Sequence, residues 1–189
     1  MTNLSTYPVV IIGAGPIGLA AAAQLAVEEQ PFLLFEKGAS IAHHVKQWEH
    51  VGMFSTWQYN INDAARQLLE MTDWIAPADD DTPTGLALIE QYLAPLATLP
   101  EIAPSLHFHH EILSVSRAGL DKMTNASRET TPFELVIETP NGRKYILARA
   151  VIDASGVLGR PNPAVSSGHR VEIEQTLPIR YSIVNAKRD

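Results

Sequence analysis

Glycines at positions 13, 15 and 18, with a carboxylate at Glu36, have the types and spacing of a site for a pyrophosphate joined to a sugar. Gly13 lets the chain turn sharply out of a strand, where a Cβ would clash. Gly15 lets the backbone come close to a phosphate, and Gly18 lets a helix pack tightly on a sheet. A helix starting near Pro16 points its free N–H groups and the positive end of its dipole at the phosphates. Proline suits that place, because the first helical turn has no intrahelical use for its N–H.

These residues need a particular frame, and the flanking sequence supplies it. Val9 to Ile12 is an apolar run, an Ala/Leu helix pattern follows the glycines, and Phe32 to Phe35 is a second apolar run ending in Glu36. Strand, glycine turn, helix, strand and terminal acid stand in the order of a dinucleotide site. Glu36 lies 18 residues beyond Gly18, near the spacing of about 20 at which a carboxylate meets the adenosine ribose. A free ribose diol suits a carboxylate and a 2′-phosphate does not, so FAD or NAD is favoured over NADP. The uncharged stretch Val9–Ala26 contains the glycines and a proline and is rich in alanine rather than leucine, which argues against a membrane span. No Lys or Arg precedes Lys37, so a signal peptide would lack its basic start.

Composition narrows the classes further. The 189 residues carry a net charge of −7, with no basic footprint for nucleic acid. Zero cysteines exclude disulfides, zinc–thiolate sites and a redox dithiol, and fit a cytoplasmic setting.

Further along, a turn of helix is expected around His43 to Trp48, and a short helix over 63–72 with Asp63 as its N-cap. Residues 76–85 read as a loop whose three aspartates form a solvated turn rather than a metal site. Leu86, Ile89, Leu93 and Leu96 share one face of a helix over 86–99, which Pro95 is expected to interrupt. Strands are expected over 106–117 and 133–139, with a turn at Pro140-Asn141-Gly142 and a partner strand over 144–149. His107 and His109 would share a strand face, yet no third metal ligand accompanies them. The segment 118–132 reads as a polar loop. Val151 and Ile152 form a strand ending at Asp153-Ala154-Ser155-Gly156, where small residues let backbone lie against a ligand.

The combination resembles the FAD domain of the two-dinucleotide-binding flavoproteins, a superfamily that includes flavin-containing monooxygenases and pyridine nucleotide-disulfide oxidoreductases. The motifs are GAGPIG with Glu36, and VIDASG at 151–156. More narrowly, VKQWEHVGMFSTWQYNIND and VIDASGVLGRPNP are similar to a group of bacterial monooxygenase-like flavoproteins. The resemblance implies an α/β, Rossmann-like domain over 1–163, with a central parallel sheet and an antiparallel β-meander leading into a third parallel strand. It implies that Gly13, Ala14, Gly15, Pro16, Ile17 and Gly18 meet the pyrophosphate, with Glu36 and Lys37 at the ribose. Trp48, Met53, Phe54 and Ser55 would lie in a loop near the isoalloxazine, and Ser155 and Gly156 against the flavin half. The partners implied are FAD and a small-molecule substrate, with no catalytic side chain and no metal ligand assigned.

Enzymes of this superfamily also carry an NADPH domain, which needs on the order of 100 further residues. Only 26 follow Pro163, polar and with one glycine, Gly168. The expectation is therefore a chain truncated before its NADPH half, with 164–189 as a tail and a sheet edge open to self-association. Three readings stand: an FAD-binding oxidoreductase domain, an NAD-dependent dehydrogenase, or a non-catalytic remnant. The DNA beyond the Pro163 codon is expected to encode, in some frame, a glycine-rich NADPH motif or a flavoprotein C-terminus. Sequencing that finds neither in any frame overturns the truncation.

Overall fold

Two short strands made only of apolar residues, β1 (Val9–Ile12) and β2 (Phe32–Phe35), lie at the centre of the computed structural model, which describes residues 4–159, 161–165, 168–169, 171–181 and 183–184. Strands of this kind need cover on both faces. Val9, Ile11, Phe32 and Leu34 face the helices, while Val10 and Phe35 join a separate apolar cluster with Leu135, Ile137 and Ala148 of the meander. The alternation follows from the two-residue period of a strand. The result is three layers: helices, a parallel sheet and an antiparallel sheet.

The parallel sheet has the order β3-β2-β1-β7, with β3 (Leu106–His107) beside β2 and β7 (Ala150–Asp153) beside β1. The meander is β4 (Glu111–Arg117), β5 (Phe133–Thr139) and β6 (Gly142–Ala148), paired in that order. Its tight hairpin turns at Pro140-Asn141 as the composition predicts, with Gly142 at φ +95°. Thr139 Oγ1 closes it by donating to the Gly142 carbonyl at 2.7 Å.

Helix α1 (Pro16–Val27) begins at Gly15 with no side-chain cap and buries Gly18, Leu19, Ala22 and Ala23. Small residues suit a helix pressed between the sheet and its helical neighbours. The short helices α2 (His43–Lys46), α3 (Trp57–Asn60) and α4 (Asp63–Leu69) follow. Asn62, rather than Asp63, caps α4: its Oδ1 accepts from the Ala65 N–H at 3.1 Å, and Asp63 is already the first helical residue.

Two expected elements take a different form. The strand expected over 106–117 is split, because His109 adopts φ +57° and turns the chain between the two sheets. Leu106–His107 thereby becomes a third parallel strand, and β7 the fourth. His107 and His109 therefore do not share a strand face. His107 instead lies beside His110, with Phe35 stacked on both rings.

Pro95 also does not break its helix. The run passes from α5 (Gly85–Leu88) through a π turn over Ile89–Leu93 into α6 (Ala94–Ala97), with Pro95 in the first turn of α6. Proline cannot donate to the carbonyl four residues back, that of Gln91. The Trp74 indole supplies the missing donor, with Nε1 at 2.7 Å from the Gln91 oxygen. Widening the helix by one residue is a known accommodation of such a break. Trp74→Phe removes this donor and keeps most of the packing. It is expected to lower stability by about 1 kcal/mol, read as a lower urea midpoint with unchanged slope.

Candidate functional site

The strand ends at the C-terminal side of the parallel sheet open into a cavity of about 740 Å³. Its floor is the turn after β1, including Gly13, Gly15, Pro16 and Ile17. One wall is the end of β2 with Glu36, Lys37 and the start of α2; the other is the segment after β7, Asp153 to Gly159. The meander strand β4 closes it opposite, through Glu111 to Val115.

The turn is shaped by backbone contact. Gly13 has φ +97°, a conformation that L side chains rarely adopt, and a Cβ there would lie 2.8 Å from the Ala154 carbonyl oxygen. A Cβ on Gly18 would collide with the Gly13 carbonyl and meet Ile11 Cγ2 at 3.5 Å. Gly15 differs from both: a Cβ there would meet nothing within 4 Å. Space beside Gly15, next to the uncapped start of a 12-residue helix, is what a pyrophosphate needs. Gly13, Gly15, Pro16 and Ile17 thus fit a dinucleotide on this geometry. Ala14 and Gly18 support the turn from behind, Ala14 being fully buried.

Glu36 is only 8% exposed. One carboxylate oxygen accepts from the Ala14 N–H at 2.9 Å and the other from the Gly38 N–H at 2.7 Å. The acid is therefore fixed against the glycine turn, and each oxygen keeps a further lone pair for a hydroxyl donor. Backbone bonds from Glu36 N–H to the His107 carbonyl (2.9 Å) and from His110 N–H to the Glu36 carbonyl (3.0 Å) fasten this corner to the start of the meander.

Around Glu36 stand Lys37, His43, His44 and His110. Burial, then the neighbouring His43 and Lys37, lower the His44 pKa, against an upward pull from Glu36. His107, behind the cavity, is lowered by burial, then by His110 and Lys144. At the other wall Asp153 accepts from Ser155 Oγ at 2.6 Å and from Ser155 N–H at 3.1 Å. These bonds hold the Asp153 carboxyl below its ordinary range.

The aromatic loop divides. Trp48 lines the cavity and packs on Gly85, where a Cβ would come within 2.9 Å of its ring. Met53, Phe54 and Ser55 are outside the lining. Met53 packs against the helical core, Phe54 is fully exposed, and Ser55 Oγ donates to Asn60 Oδ1 at 3.0 Å. The reason is a rail formed by 79–86: Met53 N–H bonds the Pro83 carbonyl, Trp57 N–H that of Asp81 and Gln58 N–H that of Asp79. The expected solvated turn is this rail, with Asp79 also paired to Arg66 at 2.7 Å. Sequence reasoning missed His44, His110 and β4 as cavity walls. His110 and β4 reach the cavity from a separate sheet, and no local pattern marks His44 as part of its wall.

The family model of the NAD(P)-binding Rossmann-like domain matches residues 11–74. Among solved structures, bacillithiol disulfide reductase Bdr (YpdA) from Bacillus cereus aligns at 20% identity and TM-score 0.58, over 82% of this chain and 41% of its own. OTEMO in an FAD-bound form aligns at 13% identity and TM-score 0.59, over 82% of this chain and 26% of its own. An oxidized steroid monooxygenase bound to NADP aligns at 19% identity and TM-score 0.56, over 79% and 26%. No curated protein matches the sequence.

The fold is Rossmann-like. It is the one found in this reductase, OTEMO and the steroid monooxygenase, and the chain spans about a quarter to two-fifths of their lengths. Among the described residues no helix is long and apolar enough to cross a membrane, and no cluster of three or more His, Asp or Glu could hold a metal.

Ser155→Ala removes the hydroxyl bond that contributes most to the lowered Asp153 pKa. The Asp153 carboxyl is expected to move up toward its ordinary value, read by NMR titration. A depressed folded-state pKa adds stability above the unfolded value that is lost as pH falls through the folded one. The wild-type advantage over Ser155→Ala should therefore shrink on acidification below about pH 4.

Proposed function

We propose that this chain is the FAD-binding domain of a monooxygenase-type flavin oxidoreductase. The observation that carries the reading is the single cavity that joins the glycine turn, Glu36 and Ser155-Gly156. In this reading Gly13, Ala14, Gly15, Pro16, Ile17 and Gly18 form the pyrophosphate cradle. Glu36 accepts from the ribose hydroxyls with Lys37 beside it, and Trp48, Ser155 and Gly156 lie toward the flavin half. Met53, Phe54 and Ser55 are not given a cofactor contact, since they lie outside the cavity lining.

FAD bound in this place would supply the redox chemistry. The chain's own residues bind and orient it. Glu36, fixed by the Ala14 and Gly38 N–H groups, selects a free diol over a 2′-phosphate. The uncapped start of α1 faces the diphosphate charge. NADPH as reductant and a small organic substrate belong to the wider oxidoreductase, and no residue here is assigned to either. Residues 1–163 form the nucleotide domain in this reading, with 164–189 outside it and the absence of cysteine in keeping with the cytoplasm. The outer edge of β7, unpaired in the described sheet, would allow self-association.

The match of residues 11–74 to an NAD(P)-binding domain favours a second reading, an NAD-dependent dehydrogenase using the same cradle. Calorimetry with FAD and NAD⁺ separates the two. FAD is expected to bind more tightly and to give flavin absorbance in the purified protein, whereas a colourless protein without FAD affinity sinks the reading. Gly15→Val places a branched side chain in the phosphate space. It is expected to weaken FAD binding about 100-fold or more, with little change in thermal stability.

A further inference from the structure

The segment after β7 is anchored at both ends and crosses the cavity between them. At its start, Ala154 N–H donates to the Ile12 carbonyl at 2.9 Å, Ser155 is tied to Asp153, and Gly156 turns the chain at φ +70°. At its end, Gly159 reaches the opposite wall. A Cβ there would lie 3.4 Å from His44 Cε1, 3.7 Å from its Nε2 and 4.0 Å from Lys37 Nζ. His44 belongs to α2, next to the corner that holds Glu36, so the segment comes up to the acid end of the cavity from the opposite wall.

The two residues between the anchors have the wrong exposure for a packed loop. Val157 is 80% exposed and Leu158 55%, yet both line the cavity. Apolar side chains on a cavity wall gain from being covered, and a ligand in the cavity would cover these two. The far end is held only lightly: Gly159 faces the His44 ring with room for a Cβ between them. His44 is itself steadied by Gln47, whose Nε2 lies 3.4 Å from its Nδ1.

We propose that residues 154–159 are a strap that runs across the cavity toward its ribose end and that His44 is its catch. The strap lifts from His44 to release a dinucleotide, and Val157 and Leu158 close over the bound one. The role in release rests on the FAD reading; the catch itself does not. His44 acts as a positioning residue, through the strap rather than on the cofactor.

The chain has no cysteine, so V157C provides a single thiol for a nitroxide spin label. In labelled protein, His44→Ala is expected to increase label mobility, and His44→Phe, which keeps a ring against Gly159, to restore it. In unlabelled protein, His44→Ala should speed FAD dissociation about tenfold, with His44→Phe near wild type. Changes of this kind appear mainly in the off-rate. Unchanged mobility in His44→Ala overturns the catch, and an unchanged off-rate in a variant that binds FAD overturns its role in release. A wild-type protein that binds no FAD, but whose label loosens in His44→Ala, overturns the cofactor reading and supports the catch.

Discussion

Gly13 has main chain pressed against it from two directions, and the rest of the site depends on that crowding. The first turn of α1 lies against its carbonyl through Gly18, and the end of β7 lies against its Cα through Ala154 and Ser155. Neither approach tolerates a Cβ. Because both hold, the start of a 12-residue helix and the ends of two parallel strands converge at one place. A local turn and a strand more than a hundred residues later are thereby made parts of one wall. The β1–β7 pairing, with Ile12 opposite Asp153, fixes their register.

Glu36 extends this arrangement sideways. Its carboxylate bridges the N–H groups of Ala14 and Gly38, so the acid is held by the turn it serves and by its own following residues. A buried carboxylate with two backbone donors is an oriented acceptor rather than a free charge. Its backbone also bonds to His107 and His110, which connects the acid to the meander. The meander in turn packs on the opposite face of the sheet through Leu135, Ile137 and Ala148. The cavity is therefore walled by the second sheet as well as by the ends of the first.

What was legible in the sequence is what short-range chemistry determines. The roles of Gly13 and Gly18, the acid at 36, the hairpin at Pro140-Asn141 and the strand ending at Asp153 are each written in a few consecutive residues. The misreadings fall where a distant partner decides. Nothing near His109 announces its left-handed backbone, which divides one expected strand between two sheets. Pro95 reads as a helix breaker until Trp74, 17 residues before Gln91, supplies the lost donor. The flavoprotein resemblance places Met53, Phe54 and Ser55 in a loop near the flavin, and here the rail at 79–86 fixes their backbone outside the cavity lining. Trp48 and Met53 lie close in sequence and part company for that reason.

The cavity is chemically lopsided, and this bears on what the chain can do. Hydrogen-bonding groups crowd the end around Glu36, with Lys37 and three histidines nearby, while Leu113, Val115, Val157 and Leu158 give the remaining wall an apolar, partly exposed character. Polar groups fix orientation and apolar ones add area, so a ligand would be registered at the end around Glu36 and merely covered elsewhere. Asp153 and Ser155 satisfy each other at 2.6 Å and so form a closed pair at the strand end. In the proposed reading, such a site holds the cofactor and leaves reaction chemistry to the group that the cofactor carries. That division of labour is the one the FAD-domain reading requires of the chain's own residues.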